Sequence, residues 1–166
     1  MPASQRTAVS GPSLMRLLAC LALVAVVALV GSLSTSAKIS TWYAGLSKPG
    51  WTPPNLAFPI AWTILYVLMA ISLWRLWESP FKGSERKCAI TLFLVQLGLN
   101  AAWSPVFFGL QGILAGLAII ILLLIALAAT IDSALQVDTL AGWLLVPYLL
   151  WVCYAATLNG AIAVLN

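Results

Sequence analysis

The side chains of this chain that could do chemistry are few, and they are amides, phenols and indoles. Gln96 and Asn100 stand four residues apart in an otherwise apolar run, and Trp103 and Phe107 continue the same helical stripe. Trp62 and Tyr66 repeat that spacing earlier in the chain. Pro147, Tyr148 and Trp151, with Thr157 and Asn159, crowd the last apolar stretch. An unpaired amide in hydrocarbon is costly, so the Gln96–Asn100 face must meet other helices, another chain or a ligand. Two readings stay open at this point. Amides of this kind glue helices together; inward rings beside amides also make a cavity suited to a flat, largely apolar molecule with a few polar groups.

Other chemistry is excluded by what is missing. Histidine is absent, which removes the usual general base and the commonest metal ligand. Cys20, Cys88 and Cys153 are scattered; they have no metal-ligand spacing and suggest no disulfide framework. The chain has no phosphate-cradling glycine loop, no catalytic triad and no paired carboxylates within an apolar stretch. No enzyme site, catalytic residue, metal or cofactor is therefore expected. Ion-driven transporters place ionisable groups at mid-membrane, and none lies there.

The elements that must position these residues follow from the charge pattern. Of 166 residues, 63% are hydrophobic and 7% charged, against roughly 25% charged in a soluble domain. Such a chain cannot cover itself in water. No charge falls between Arg16 and Lys38, Lys48 and Arg75, Lys87 and Asp132, or after Asp138. A spanning helix needs about 20 apolar residues. Three of these gaps fit one span each, and the third fits two if Pro105–Gly112 forms a turn. The fold class expected is all-α, an integral membrane bundle of five transmembrane helices near 14–35, 57–78, 88–107, 111–131 and 140–164. Residues 1–13 read as a flexible tail and 14–166 as one membrane domain.

Arg6, Arg16, Lys82, Arg86 and Lys87 fall on one side of such a bundle, with Arg75 near it, and Lys38 and Lys48 on the other. The net charge of +4 therefore marks topology and not nucleic-acid binding. The positive-inside rule puts the N-terminus in the cytoplasm. The run after Arg16 is longer than a signal-peptide core and lacks a clean small-x-small site, so it is read as a retained helix. The first loop, about 36–56, carries Trp42, Tyr43 and Trp51 among Pro49, Pro53, Pro54, Gly45 and Gly50. It cannot be one helix and can fold back as a lid. A further loop is expected at about 132–139. Of eight tryptophans, Trp42, Trp74, Trp77 and Trp143 suit an interfacial belt, whereas Trp62, Trp103 and Trp151 lie deeper. Gly98 with Ala102, and Gly112 with Gly116, have the spacing of close helix contacts and suggest a homodimer. No internal repeat of the inverted-transporter kind is visible.

Several blocks together resemble one family. Trp42-Tyr43-x-x-Leu46-x-Lys48-Pro49-x-Trp51-x-Pro53-Pro54 and Phe58-Pro59-x-x-Trp62-x-x-Leu65-Tyr66 are similar to the first loop and second helix of TspO/MBR proteins, the tryptophan-rich sensory and translocator proteins. Gln96-Leu97-x-Leu99-Asn100-x-x-Trp103-x-Pro105-x-Phe107-Phe108-Gly109, then Pro147-Tyr148-Leu149-x-Trp151 and Ala156-Thr157-Leu158-Asn159, continue the likeness in order. It covers about Thr41 to Asn159.

The resemblance implies a five-helix bundle, often dimeric, with a pocket closed by the first loop. It also implies tetrapyrrole ligands such as protoporphyrin IX and haem, and related lipophilic molecules. The ligand-binding residues it implies are Tyr43, Trp51, Trp62, Tyr66, Asn100, Trp103 and Trp151. Trp62 and Trp151 match the tryptophans implicated in light-dependent porphyrin breakdown by bacterial members. Mitochondrial members carry a cholesterol-recognition pattern after the last Leu-Asn. Here Leu158-Asn159 is followed by neither an aromatic nor a basic residue, so sterol binding there is not expected. Three functions stay open: a membrane receptor or binding protein for porphyrins, linked to tetrapyrrole homeostasis or stress signalling; a carrier of porphyrins or other lipophilic metabolites; and a photochemical porphyrin-degrading activity. A bacterial cell membrane is the expected location.

Overall fold

The computed structural model describes residues 11–81 and 83–166. Arg6, Lys82 and most of the expected tail lie outside the described residues. The elements are α1 (Gly11–Ser36), α2 (Trp42–Gly45), α3 (Ala57–Glu78), α4 (Ser84–Ser104), a π-helical turn (Pro105–Gly109), α5 (Ile113–Val137), α6 (Thr139–Trp143) and α7 (Val146–Leu165). Among the described residues, five helical segments are long and apolar enough to cross a membrane: α1, α3, α4 with its π turn, α5, and α6 with α7. The chain is an all-α, multi-pass membrane protein.

Lipid offers no hydrophobic drive for helices to associate, so close packing and polar contacts must hold the bundle. α4 lies along α5, α1 against α3 and α4, and α5 against α7. The centre is filled by Met69, Leu76, Phe93, Leu127, Leu145 and Tyr148, all fully buried. At the basic end the helices are tied by polar groups. Arg75 meets Asp138 through two parallel bonds, Nε to Oδ1 at 3.0 Å and Nη2 to Oδ2 at 2.8 Å. Asp138 also accepts from the Ala141 N–H at 2.8 Å, which caps α6. Ser72 Oγ donates to the Ala141 carbonyl, and Arg16 pairs with Glu78. Trp74 Nε1 donates to Ser13, so this ring joins α3 to α1 in addition to sitting near the bundle's end.

Two boundaries differ from the sequence reading. The loop expected at about 132–139 shrinks to Asp138, because α5 runs on to Val137. Its last two turns place Asp132 and Gln136 one turn apart, with Gln136 Nε2 donating to Asp132 Oδ2. Polar residues there line an exposed helix face instead of breaking it. The last span, in turn, is two helices. Pro147 has no N–H to give the Trp143 carbonyl, so α6 stops there and α7 restarts with the proline in its first turn.

Pro105 acts in the same way on α4. It removes a donor from the ladder, and the helix widens to an i→i+5 turn closed by Leu110 N–H on the Pro105 carbonyl at 2.9 Å. The wide turn buries both Phe107 and Phe108. Gln111 then adopts φ 56°, the left-handed conformation that reverses the chain into α5. Gly116 on α5 admits Phe107, since a Cβ there would lie 2.9 Å from the ring. That glycine therefore serves packing within the chain. Gly98 faces outward with open space beside it.

Candidate ligand-binding site

The stripe read from the sequence on α4 divides in two. Asn100 is bonded on both sides: Tyr66 Oη on α3 donates to its Oδ1 at 3.0 Å, and its Nδ2 donates to Tyr148 Oη on α7 at 2.8 Å. This one amide joins three helices. Trp103, one turn further, donates Nε1 to Asn159 Oδ1 at 3.3 Å, and Asn159 Nδ2 donates to the Ile113 carbonyl. Gln96, by contrast, is fully buried below Asn100, and neither amide atom has a hydrogen-bond partner.

Above this polar layer lies a cavity of about 510 Å³, within the usual range for small-molecule pockets. α3 contributes Phe58, Trp62 and Tyr66; α4 and the π turn contribute Asn100, Trp103, Phe107 and Phe108; α7 contributes Trp151, Ala155 and Leu158. The rings pack against one another along the lining. Trp62 stacks on Tyr66 with centroids 5.3 Å apart, and Trp103 stacks on Phe107 at 5.1 Å with planes only 16° apart. Phe58 meets Trp151 edge-on at 6.0 Å, and Trp62 meets Tyr148 likewise. Those ring contacts span the seam between α3 and α7. Among the described residues, no side-chain hydrogen bond engages the indole N–H of Trp62 or Trp151, and both residues line the cavity.

The first loop closes the top. α2 presses Tyr43 into the bundle, where its ring packs 5.4 Å from Phe108 and 6.4 Å from Phe107. Trp42, assigned above to the belt, instead meets both phenylalanines edge-on, whereas Trp77 and Trp143 are exposed. Lys48 folds back, donates Nζ to the carbonyls of Tyr43, Ala44 and Leu46, and lies over the Tyr43 ring. Its charge is spent inside the lid. Burial raises the Tyr43 phenol above its ordinary pKa and the nearby Tyr154 adds to this, so the lid presents a neutral ring. Two side chains fasten it, one from the middle of α7 and one just past its end. Tyr154 Oη donates to the Trp51 carbonyl at 2.7 Å, and Asn166 exchanges two bonds with the Ser47 backbone at 2.9 and 3.0 Å.

Six of the seven residues singled out from the sequence thus face one cavity: Tyr43, Trp62, Tyr66, Asn100, Trp103 and Trp151. Trp51 does not; its ring is exposed, and its contribution is the backbone carbonyl held by Tyr154. The sequence reading missed the fourth wall, formed by Gly31, Ser32, Thr35 and Ser36 of α1. The small and hydroxyl residues Gly31-Ser32-Leu33-Ser34-Thr35-Ser36, closing an otherwise aliphatic span, were the available signal. Cys20 is buried in the core, and Cys88 and Cys153 are exposed free thiols; none joins the cavity.

Five spans folded around one aromatic, amide-floored cavity define a membrane protein whose bundle has room for a small molecule. Residues 19–165 match the TspO/MBR family. The match reaches further into the first helix than the motifs quoted above. The tryptophan-rich protein TspO of Archaeoglobus fulgidus is 45% identical over 154 residues, covering 93% of this chain and 99% of that protein. The tryptophan-rich sensory protein of Cereibacter sphaeroides is 41% identical over 122 residues, 74% of this chain and 75% of its own. The human translocator protein is 40% identical over 134 residues, 78% of each. The chain belongs to the TspO/MBR family.

Proposed function

We propose that this protein is a membrane receptor for porphyrins such as protoporphyrin IX and haem, linked to tetrapyrrole homeostasis or stress signalling. The carrying observation is the cavity itself: a lining rich in aromatic rings suits a flat apolar macrocycle, and two indole N–H groups are left without side-chain partners. Tyr43, Trp62, Tyr66, Asn100, Trp103 and Trp151 are the contact residues of this reading, with Trp51 acting through the lid. Neither acid nor base is needed to hold such a guest, so no catalytic residue is assigned.

A binding role is favoured over passage across the bilayer by the floor. Below Asn100 and Tyr148 the bundle is filled by Leu65, Met69, Phe93 and Leu97, leaving no continuation of the cavity toward the basic end. The bundle sits in a bacterial cell membrane with the basic end in the cytoplasm. A second copy would pack on the open α4 face at Gly98. Sterol is not the ligand of this reading. Equilibrium binding of protoporphyrin IX in the dark tests the proposal, with flux into sealed vesicles and turnover under illumination read separately. Saturable dark binding without flux supports a receptor; flux through the protein would make it a carrier.

A further inference from the structure

The cavity is fastened at its top and filled at its base, but not at one side. At the basic end α1 and α3 are held together by the Arg16–Glu78 ion pair and by Trp74 on Ser13. At the lid end α1 also packs on α4 and the π turn, where Gly31 comes up against Ser104. The exposed residues of the cavity lining are Ser32 and Ser36 of α1, Pro59 and Thr63 of α3, and Asn55 two residues before α3. Every other lining residue is buried or half-buried, so the accessible side of the cavity lies between these ends of α1 and α3. Among the described residues, no side-chain bond crosses this gap. Thr35 and Thr63 return their hydroxyls to the carbonyls of Gly31 and Pro59, each in its own helix, and Ser36 does so to Leu33.

We propose that the guest passes between α1 and α3, directly from the lid-side half of the bilayer, and not under the lid. This inference rests on the binding role above and names the class of molecule admitted. The rim faces hydrocarbon, and most of its hydroxyls are satisfied within their own helices. It therefore selects a guest that dissolves in a bilayer unaided, with a thin profile that parts two unbonded helix ends. Tyr154 and Asn166 keep the water-facing route shut, which separates a membrane-dissolved pool of ligand from the aqueous one.

The test is stopped-flow binding of protoporphyrin IX to the full chain in lipid nanodiscs, comparing the unmodified protein with Ser32→Phe/Thr63→Phe. A blocked doorway slows association at least tenfold and slows dissociation as well, because both directions use it. A merely damaged pocket speeds dissociation instead, and that result would overturn the route. So would unslowed association in this variant combined with faster association when the lid ties are cut by Tyr154→Phe/Asn166→Ala. Circular dichroism checks that the double variant folds; if it does not, the single change Thr63→Leu gives the same reading with a smaller slowing. Failure of the unmodified protein to bind saturably would remove the receptor reading and this route together.

Discussion

Asn100 on α4 gives its amide N–H to the phenol oxygen of Tyr148 on α7 across 2.8 Å, while its carbonyl oxygen accepts the phenol of Tyr66 on α3. One side chain therefore sets the spacing of three helices and forms the floor of the cavity. Asn100→Ala leaves the buried Tyr148 phenol and the half-buried Tyr66 phenol short of a partner and should lower unfolding stability by about 1–3 kcal/mol, with weaker porphyrin binding. Tyr148→Phe removes a hydroxyl that does not line the cavity, so thermal stability should fall by less while affinity changes little. Unfolding midpoints and dark titrations on both variants check this; equal loss of affinity in both would contradict it.

Gln96, one turn below, makes the opposite case. Its amide is buried without a partner, at a cost of roughly 1–3 kcal/mol on mutational scales. Gln96→Leu should therefore raise the thermal midpoint in detergent and leave porphyrin affinity intact. A clear fall in the midpoint would show that this amide is bonded in the membrane.

Asp138 supplies a pH dependence at the other end. Burial alone would raise its pKa, but the Arg75 guanidinium and the Ala141 and Leu140 N–H groups outweigh it and hold the carboxyl below 3.8. A group depressed on folding stabilises above its unfolded pKa and loses that contribution as pH falls through its folded value. Stability should be flat above about pH 5 and decline below about pH 4. Asp138→Asn should remove part of that decline and cost up to about 1 kcal/mol at neutral pH through the lost ion pair, since an asparagine Oδ1 still caps α6. Denaturation curves at pH 3, 4 and 7 on both proteins provide the measurement.

The five spans were legible because charges bound them and hydrocarbon tolerates so few. The stripe Asn100–Trp103–Phe107 was legible because a helix repeats its face every three or four residues. Which amide on that stripe would be bonded was not, since Gln96 and Asn100 differ only in what α3 and α7 bring opposite them. The exposure of Trp51 was equally hidden: prolines on both sides announce a loop but not which ring it turns inward. The α1 wall escaped because serine and threonine at a helix end read as a boundary signal, whereas here they border a cavity.

The most direct test of the receptor reading is quenching of tryptophan fluorescence by protoporphyrin IX in the dark, on purified protein beside Trp62→Phe and Trp151→Phe. Both indoles line the cavity, from the neighbouring helices α3 and α7. The account predicts saturable quenching by the unmodified protein, with affinity weakened several-fold by either change and folding retained. Non-saturating quenching, identical in all three proteins, would mean that porphyrin only partitions into the micelle, and would contradict the assignment of this cavity as its site.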